Sequence, residues 1–331
     1  MPTSTASAPR ATRIAILAYR DCMATEMFGI ADVLLVAGHM ARALSRGPYP
    51  ACTVELVAVG PGNVRVAGGV ELTPKRASGK YDLLVVPGLE VGRRDQVEAK
   101  LAGLAREVAF IGQRFAQGTQ VASICIGTFL LGAAGLLDGR RATTAWLFAA
   151  DVARRYPAAH WQTEQILIED GGVITTGAVS SAFDLAIFLV KRIYGARVAS
   201  ATARVALLPN PRASQAPYVD ETLMPQPLPG FARAVQQWLG ARLREPYALA
   251  PLAAAFHVSA RTLLRRVKAE TGDTPLALLQ HERIERAKQL LGDTNWSIAR
   301  IVEEVGYADV PTFSRLFATR VGETPAKYRR R

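Results

Sequence analysis

One cysteine, Cys125, stands where a thiol can act as a nucleophile or line a ligand site. It follows the apolar stretch 121–124, which predicts a strand, and precedes residues 127–131, which predict the start of a helix. Such a strand-to-helix turn presents its side chain at the end of a sheet, and Ser123 and Gly127 are small enough to let the chain turn tightly. Amide groups at a helix N-terminus favour a thiolate and can hold an oxyanion or a carboxylate. The pattern therefore predicts a site at Cys125.

Catalysis at this thiol would also need a base that accepts and returns a proton. The chain has four histidines, and none has a convincing position: two fall in helix-end or loop contexts and two in the C-terminal helical region (His39, His160, His257, His281). Three interpretations of Cys125 stay open: a packing residue, a residue lining a ligand pocket, or a redox-sensitive thiol.

A second group of side chains that could bind a ligand lies in residues 230–331, which are rich in basic residues. This segment holds 17 of the 40 basic and 10 of the 28 acidic residues. Two helix-turn-helix patterns occur there, 249–271 and 297–320, and a helix over 275–291 connects them. Ser259 and Asp309 are predicted to cap the second helix of each pattern, and Pro311 is tolerated in a first turn. The side chains predicted to lie on the polar sides of these helices are Arg261, Thr262, Arg265, Arg266, Lys268, Thr312, Ser314 and Arg315.

An α-helix fits the major groove of DNA, where arginine pairs with guanine and other cations and hydroxyls contact phosphates. Two such helices on one chain can enter successive grooves. We therefore expect double-stranded DNA as the partner. A helical bundle with a solvated basic face is the alternative that the pattern leaves open.

The composition agrees with two domains that each bury a core, since half of the 331 residues are hydrophobic. A net charge of +12 favours a polyanionic partner. We see no apolar run near the length of a membrane span and no secretory signal, so we expect a cytoplasmic protein without membrane association. Three cysteines without a CxxC pair make disulfides and a metal site unexpected, and no cofactor is expected.

The elements that position Cys125 alternate between short strands and longer helices. Strands are predicted at 14–18, 54–59, 83–86 and 121–124, helices near 26–43 and 96–117, then a hairpin within 166–176 and a helix over 181–194. This order predicts an α/β fold, a flavodoxin-like parallel sheet with helices on both faces, followed by an all-α domain. We expect a disordered lead-in at 1–11, a first domain at 12–205, a Pro-rich linker at 206–230 and the helical domain at 231–331.

The C-terminal region resembles the AraC/XylS family of transcriptional regulators. The resemblance covers about residues 232–330 and is carried by Gly306–Phe317 and by Gly322–Arg329. It implies that Arg261, Thr262 and Arg265 face bases from the first recognition helix. For the second helix it implies the same of Thr312, Ser314 and Arg315.

The N-terminal region resembles the ThiJ/PfpI branch of the class I glutamine-amidotransferase-like fold over about residues 12–200. The matching motifs are Leu83–Gly88, Ser123–Gly127 and Ala134–Arg140. By this resemblance Glu26 is the acid that hydrogen-bonds the elbow cysteine. The family's enzymes commonly carry histidine where this chain has Ile126 or Ala145, so the resemblance implies a domain without the catalytic base.

The two halves in this order resemble the GlxA-type subgroup of AraC-family regulators. That resemblance implies a regulator, an activator by family habit, whose first domain senses a metabolite such as an amino acid or a quaternary amine. The candidate effector pocket comprises Glu26, Cys125, Ile126 and Trp146; Trp146 with Trp161 is a possible cage for a cationic effector. RNA polymerase and a homodimeric state are expected by analogy. The alternative is a Cys125-dependent thiol hydrolase or deglycase-like enzyme with an appended nucleic-acid-binding domain.

Overall fold

A computed structural model describes residues 11–45, 48–92, 96–209, 212–220, 223 and 230–330. The chain divides into two compact units, Met1–Gln215 and Ala216–Arg331. This division falls inside segment 206–230, for which the sequence predicts a linker. Most of the predicted lead-in and residues 210, 211, 221, 222 and 224–229 of that segment lie outside the described residues.

The first unit is an α/β structure. Its strands are β1 (Thr12–Leu17), β2 (Cys52–Ala58), β3 (Val64–Arg65), β4 (Glu71–Leu72), β5 (Lys75–Arg76), β6 (Leu83–Val86), β7 (Gln120–Ser123), β8 (Arg141–Ala142), β9 (His160–Trp161), β10 (Leu167–Asp170) and β11 (Val173–Thr176). Its helices are α1 (Ala24–Leu44), α2 (Val97–Ala102), α3 (Ala105–Ala116), α4 (Thr128–Ala133), α5 (Ala149–Arg155), α6 (Ser181–Tyr194) and α7 (Ala196–Val205).

Seven of these strands form one sheet in the order β10-β11-β7-β6-β1-β2-β5. All neighbours are parallel except the β10–β11 hairpin. The chain moves one way along the sheet from β1 to β2 and the other way from β6 to β7. Because crossovers between parallel strands are right-handed, the helices after β1 and β6 cover opposite faces. The predicted fold class is confirmed, with one antiparallel edge strand.

Two features of this unit differ from the sequence prediction. The single helix predicted near 96–117 is two helices, α2 and α3, separated by Gly103 and Leu104. The two-residue strands β3, β4, β5, β8 and β9 were not predicted, because two residues are too few to show an alternating pattern.

Helix α1 is, by length and composition alone, long and apolar enough to cross a membrane. The sequence prediction that no run approaches this length therefore needs correction. Seven residues of α1 are buried, Glu26 among them, and the helix contacts α6 and α7 within the first unit. These are properties of a core helix of the α/β sheet.

The second unit is helical within the described residues. Its helices are α8 (Phe231–Gly240), α9 (Leu249–Ala255), α10 (Ala260–Thr271), α11 (Pro275–Asp293), α12 (Ile298–Glu304), α13 (Val310–Val321) and α14 (Pro325–Tyr328). One core cluster joins α8, α9 and α10 to the start of α11, and a second joins the rest of α11 to α12 and α13. Helix α11 thus supports both helix-turn-helix units from one rigid element.

Both recognition helices begin with the predicted caps. The Ser259 hydroxyl accepts from the Thr262 N–H at 3.1 Å, and the Asp309 carboxylate accepts from the Thr312 N–H at 2.8 Å. The helices end at Gly272 and Gly322, both in the left-handed conformation that glycine adopts without strain. The two predicted caps are confirmed.

Candidate functional sites

Cys125 lies on a tight turn between β7 and α4, as the sequence predicts. Its φ of +53° is in the left-handed region, which is strained for a residue with a Cβ. Hydrogen bonds hold the strained peptide: the Cys125 N–H donates to the Gly177 carbonyl at 2.8 Å. The Thr144 hydroxyl donates to the Cys125 carbonyl at 2.9 Å. A backbone held this firmly outside its preferred region is typical of a functional site.

Gly127 makes the turn possible. A Cβ at this position would lie 2.6 Å from the Val86 carbonyl oxygen and even closer to that of Pro87. Glycine therefore lets the start of α4 pack against the end of β6, which carries the other half of the site.

Glu26, in the first turn of α1, is the acidic partner of this elbow. Its side chain is fully buried, and its Oε2 accepts a hydrogen bond from the Gly88 N–H at 2.5 Å. Its Oε1 has no hydrogen-bond partner among the described residues. The hydrogen bond between Glu26 and the Cys125 thiol that the resemblance implies is therefore not observed among them. A Cβ on Gly88 would lie 3.1 Å from the Cys125 Cβ and 3.3 Å from each Glu26 carboxyl oxygen. The Glu26 carboxyl group and the Cys125 Cβ thus both lie beside Gly88, just after the carboxyl end of β6.

The burial of this pair determines its protonation. Burial raises the pKa of Glu26 to about 7, although the Gly88 N–H acts in the opposite direction. Burial and the charge of Glu26 raise the pKa of Cys125 to about 12, outweighing hydrogen bonds from the Ile126 and Val179 backbone. The expectation that the helix N-terminus favours a thiolate is therefore wrong. At neutral pH this site holds a neutral thiol beside a carboxyl group that titrates.

The other predicted pocket residues surround the elbow differently. Ile126 is buried next to Cys125, and Ala145 is also buried. Trp146 is half-buried and lies two residues beyond Thr144, whose hydroxyl contacts Cys125. The Trp161 ring N–H donates to the Tyr156 carbonyl at 3.1 Å, so this indole is engaged inside the unit.

Sequence reasoning missed Gln215, the last residue of the first unit. Its side chain is buried, and its amide donates to the Thr144 carbonyl at 2.7 Å. Its Oε1 accepts from the Trp146 N–H at 3.3 Å. A Cβ on Gly177 would lie 2.8 Å from the same Oε1. Gln215 therefore contacts the two segments that hydrogen-bond the Cys125 backbone, and nothing in its Pro-rich local sequence signals this role.

On α10, three predicted DNA-contacting side chains share one exposed face. Arg261, Arg265 and Lys268 are exposed and are separated by four and three residues, the spacing of neighbours on a helix surface. The Thr262 hydroxyl instead lies 2.9 Å from that of Ser259. The Arg266 guanidinium lies 3.9 Å from the centre of the Phe231 ring, so Arg266 packs against α8.

On α13, Thr312 and Arg315 are exposed and three residues apart, whereas Ser314 is half-buried. Ser314 lies about 200° around the helix from Thr312, since each residue advances about 100°. Phe317, whose ring is buried, lies about 60° around the helix from Ser314, and buried Phe313 lies about 100° from both Ser314 and Thr312. Ser314 is thus less exposed than Thr312 and Arg315, the other two predicted contact residues of this helix.

Fold and elbow define the first unit as an amidotransferase-like α/β domain, and the second as a pair of helix-turn-helix units. The DJ-1/PfpI family model matches residues 12–192, and a helix-turn-helix domain model matches residues 252–331. The chain belongs to the DJ-1/PfpI family and carries a C-terminal helix-turn-helix domain of the AraC type. Both resemblances found in the sequence are confirmed.

The chain is also similar to three curated proteins. The chain is 25% identical over 273 residues to the HTH-type transcriptional regulator GbdR of Pseudomonas aeruginosa, covering 79% of this chain and 70% of GbdR. It is 28% identical over 216 residues to the HTH-type transcriptional regulator CdhR of the same species, covering 64% and 63%. It is also 36% identical over 86 residues to an isonitrile hydratase of Pseudomonas putida, covering 26% and 36%.

Proposed function

We propose that this protein is a transcriptional regulator that binds double-stranded DNA through α10 and α13 and binds a small metabolite in its first unit. The observation that carries the proposal is the exposed row of Arg261, Arg265 and Lys268 on a capped helix, supported by a second helix-turn-helix unit of the same design. The names of the relatives GbdR and CdhR support the same class of function.

The contact residues divide by their position on the recognition helices. Arg265 and Arg315 are exposed on α10 and α13, where a guanidinium can reach guanine O6 and N7. Lys268 is a flexible point charge suited to phosphate. Arg261 and Thr312 complete the two faces. Thr262 and Arg266 contact Ser259 and Phe231 and Ser314 is half-buried, and all three stay predicted DNA contacts.

The proposed effector site comprises Glu26, Cys125, Ile126 and Trp146, of which the first three are buried. A positive charge beside Glu26 favours its ionised form, so a cationic amine would convert a carboxyl group poised near neutrality into a salt-bridge partner. This favours an amino acid or a quaternary amine as the ligand. With Ile126 and Ala145 at the places of the family's histidine and a neutral thiol at Cys125, we infer that the domain senses and does not catalyse.

We propose that Gln215 couples ligand binding at this site to the DNA-binding domain. It contacts the Thr144 and Gly177 segments that hydrogen-bond the Cys125 backbone. Gln215 itself lies within the proposed linker, 206–230, which connects domains 12–205 and 231–331. A ligand that shifts either segment would change the contacts of Gln215. The linker would then favour different conformations. The effector would then alter DNA affinity or contact with RNA polymerase in the cytoplasm. We also propose a homodimer, whose two copies would bind paired sites on the DNA.

The test of DNA recognition is selection of bound fragments from the source genome by the purified full chain over a salt series. We expect a few sites with a shared two-part motif that persists as salt rises. Uniform, salt-labile recovery of all fragments would leave only backbone binding and would overturn the proposal.

The test of sensing uses a selected site and a panel of amino acids and quaternary amines. We expect one class of amine to change the Kd for DNA in the parent chain, and Gln215→Ala to reduce this response while amine binding persists. If no amine changes DNA affinity, the sensing part of the proposal fails.

A second candidate function is an enzyme that uses Cys125 as nucleophile and Glu26 as acid. Their convergence on Gly88 and the partial similarity to an isonitrile hydratase favour it. Turnover of an isonitrile or thioester substrate by the parent chain, lost in Cys125→Ala while DNA binding survives, would support this alternative.

A further inference from the structure

A cavity of about 440 Å³ opens beside the carboxyl ends of β1 and β2. Its lining includes Arg20 after β1, Gly60 after β2, Arg65 of β3, and Arg106 and Glu107 of α3. Neither Glu26 nor Cys125 is part of this lining. In open α/β sheets, ligands bind outside the carboxyl ends of parallel strands, and this volume lies within the usual range of small-molecule sites.

The charge around the cavity is strongly positive. Arg20, Arg65 and Arg106 are exposed, and in the part of the chain that the structure describes no hydrogen bond or ion pair joins their guanidinium groups to a protein acceptor. Other arginines of this unit are paired, for example Arg141 with Asp170 and Arg192 with Glu169. Three cations that converge on a concave surface with one carboxylate, Glu107, focus a positive potential there.

Gly60 has no side chain between the cavity wall and the Arg106 guanidinium. A Cβ on Gly60 would lie 3.7 Å from the Arg106 guanidinium, so this cation lies directly over the loop that follows β2. Guanidinium groups bind phosphate and carboxylate oxygens with two parallel hydrogen bonds. A duplex cannot enter a cavity of this volume, which restricts the ligand to a small molecule.

We propose that this cavity binds a small anion with two or more negative charges, either phosphorylated or carrying several carboxylates. The site is separate from the amine pocket proposed at Glu26 and Cys125. It would give the first unit a second ligand of opposite charge.

The experiment is calorimetric titration of the full chain with pyrophosphate and with citrate at constant ionic strength. The double variant Arg65→Gln, Arg106→Gln is expected to weaken binding of the preferred anion about tenfold or more, since each charge-assisted hydrogen bond contributes substantially. Arg197→Gln removes an exposed arginine of α7 that does not line the cavity, and we expect it to leave the Kd unchanged. The preferred anion, pyrophosphate or citrate, identifies the ligand chemistry.

The basic second unit can also bind anions, and the variants separate the two locations. Equal Kd values for the parent and the double variant would place the anion elsewhere and overturn the proposal, as would no binding of either anion at millimolar concentration. Both substituted arginines are exposed, so we expect an unchanged thermal midpoint without ligand. Because the readout is anion binding, failure here is distinguishable from failure of DNA recognition or amine sensing.

Discussion

The two units differ in how well their key residues follow the local conformational preferences of the chain. In the second unit, caps, left-handed glycines and buried faces agree: Ser259 and Asp309 begin the recognition helices, and Gly272 and Gly322 end them. In the first unit, Cys125 has a positive φ and Glu26 is buried with one carboxyl oxygen lacking a partner among the described residues. The second unit carries its basic side chains on exposed faces of unstrained helices. The first unit buries Glu26 and a strained Cys125, which costs stability.

This difference predicts the signs of substitutions. A change at a scaffold position of the second unit should destabilise it. Neutralising the buried carboxyl of the first unit should stabilise that unit under conditions where the carboxyl is charged.

Gly306→Ala is the largest expected effect and tests the scaffold side of the comparison. Gly306 has a φ of +77°, and a Cβ there would overlap the Leu243 carbonyl oxygen and lie 3.1 Å from the Arg244 Cα. We expect a loss of ~3 kcal/mol or more from strain and backbone displacement, measured by calorimetry as a lower midpoint for the second unit.

Gly322→Ala is the matched control for this substitution. Gly322 has a φ of +84°, but nothing lies within 4 Å of an added Cβ. The expected cost is therefore about 1 kcal/mol, from conformation alone. Equal losses at the two glycines would show that the contact with the 243–244 backbone does not constrain the turn.

Glu26→Gln tests the other side of the comparison and should stabilise the first unit at high pH. The folded-state pKa of about 7 lies above the ordinary value of 4.5, so the native state retains a proton that the unfolded chain releases. The stability this gives is complete below about pH 4.5 and is lost as pH rises through 7. Relative to the parent, we expect the variant to gain roughly 3 kcal/mol by pH 8, measured as midpoints at pH 5 and pH 8.

Asp32→Asn provides the control on the same helix, because Asp32 is exposed. We expect it to change stability little at either pH. A Glu26→Gln variant whose advantage does not grow with pH would mean that Glu26 is accommodated as a charged group, and the contrast between the units would lose its main support.

How much of each unit was predictable follows the same division. The sequence predicts both caps and the bounds of α10 correctly, because caps and helical periodicity are local signals. These are Ser259, Asp309 and the span Ala260–Thr271. The elbow at Cys125 was also found, since a strand followed by small residues predicts the turn. The raised pKa of the thiol depends on burial and on Glu26, about one hundred residues away in the sequence. Gln215 contacts the Thr144–Trp146 segment through hydrogen bonds that no local pattern encodes.

Arg265→Ala and Lys268→Ala sharpen the comparison at the exposed face of α10. Loss of Arg265 should cost about 1–3 kcal/mol at the selected DNA site and relax base preference at one position, as should Arg315→Ala on α13. Loss of Lys268 should weaken all sequences similarly and reduce the salt dependence. The measurement is Kd on selected and random duplexes over a salt series. Equal losses on both duplexes for Arg265→Ala would contradict base reading by this helix.

Ser259→Ala carries the smallest expected effect and asks how far the second unit depends on its local signals. Removing the hydroxyl leaves the Thr262 N–H without its cap, and also removes the partner of the Thr262 hydroxyl. We expect a loss of about 1 kcal/mol, because α10 remains anchored by Leu263 and Val267 in the core. Ser259→Asp should retain the cap and serve as the control. If Ser259→Ala unfolds the unit while Ser259→Asp does not, the cap itself determines whether the recognition helix forms, and packing plays the lesser part.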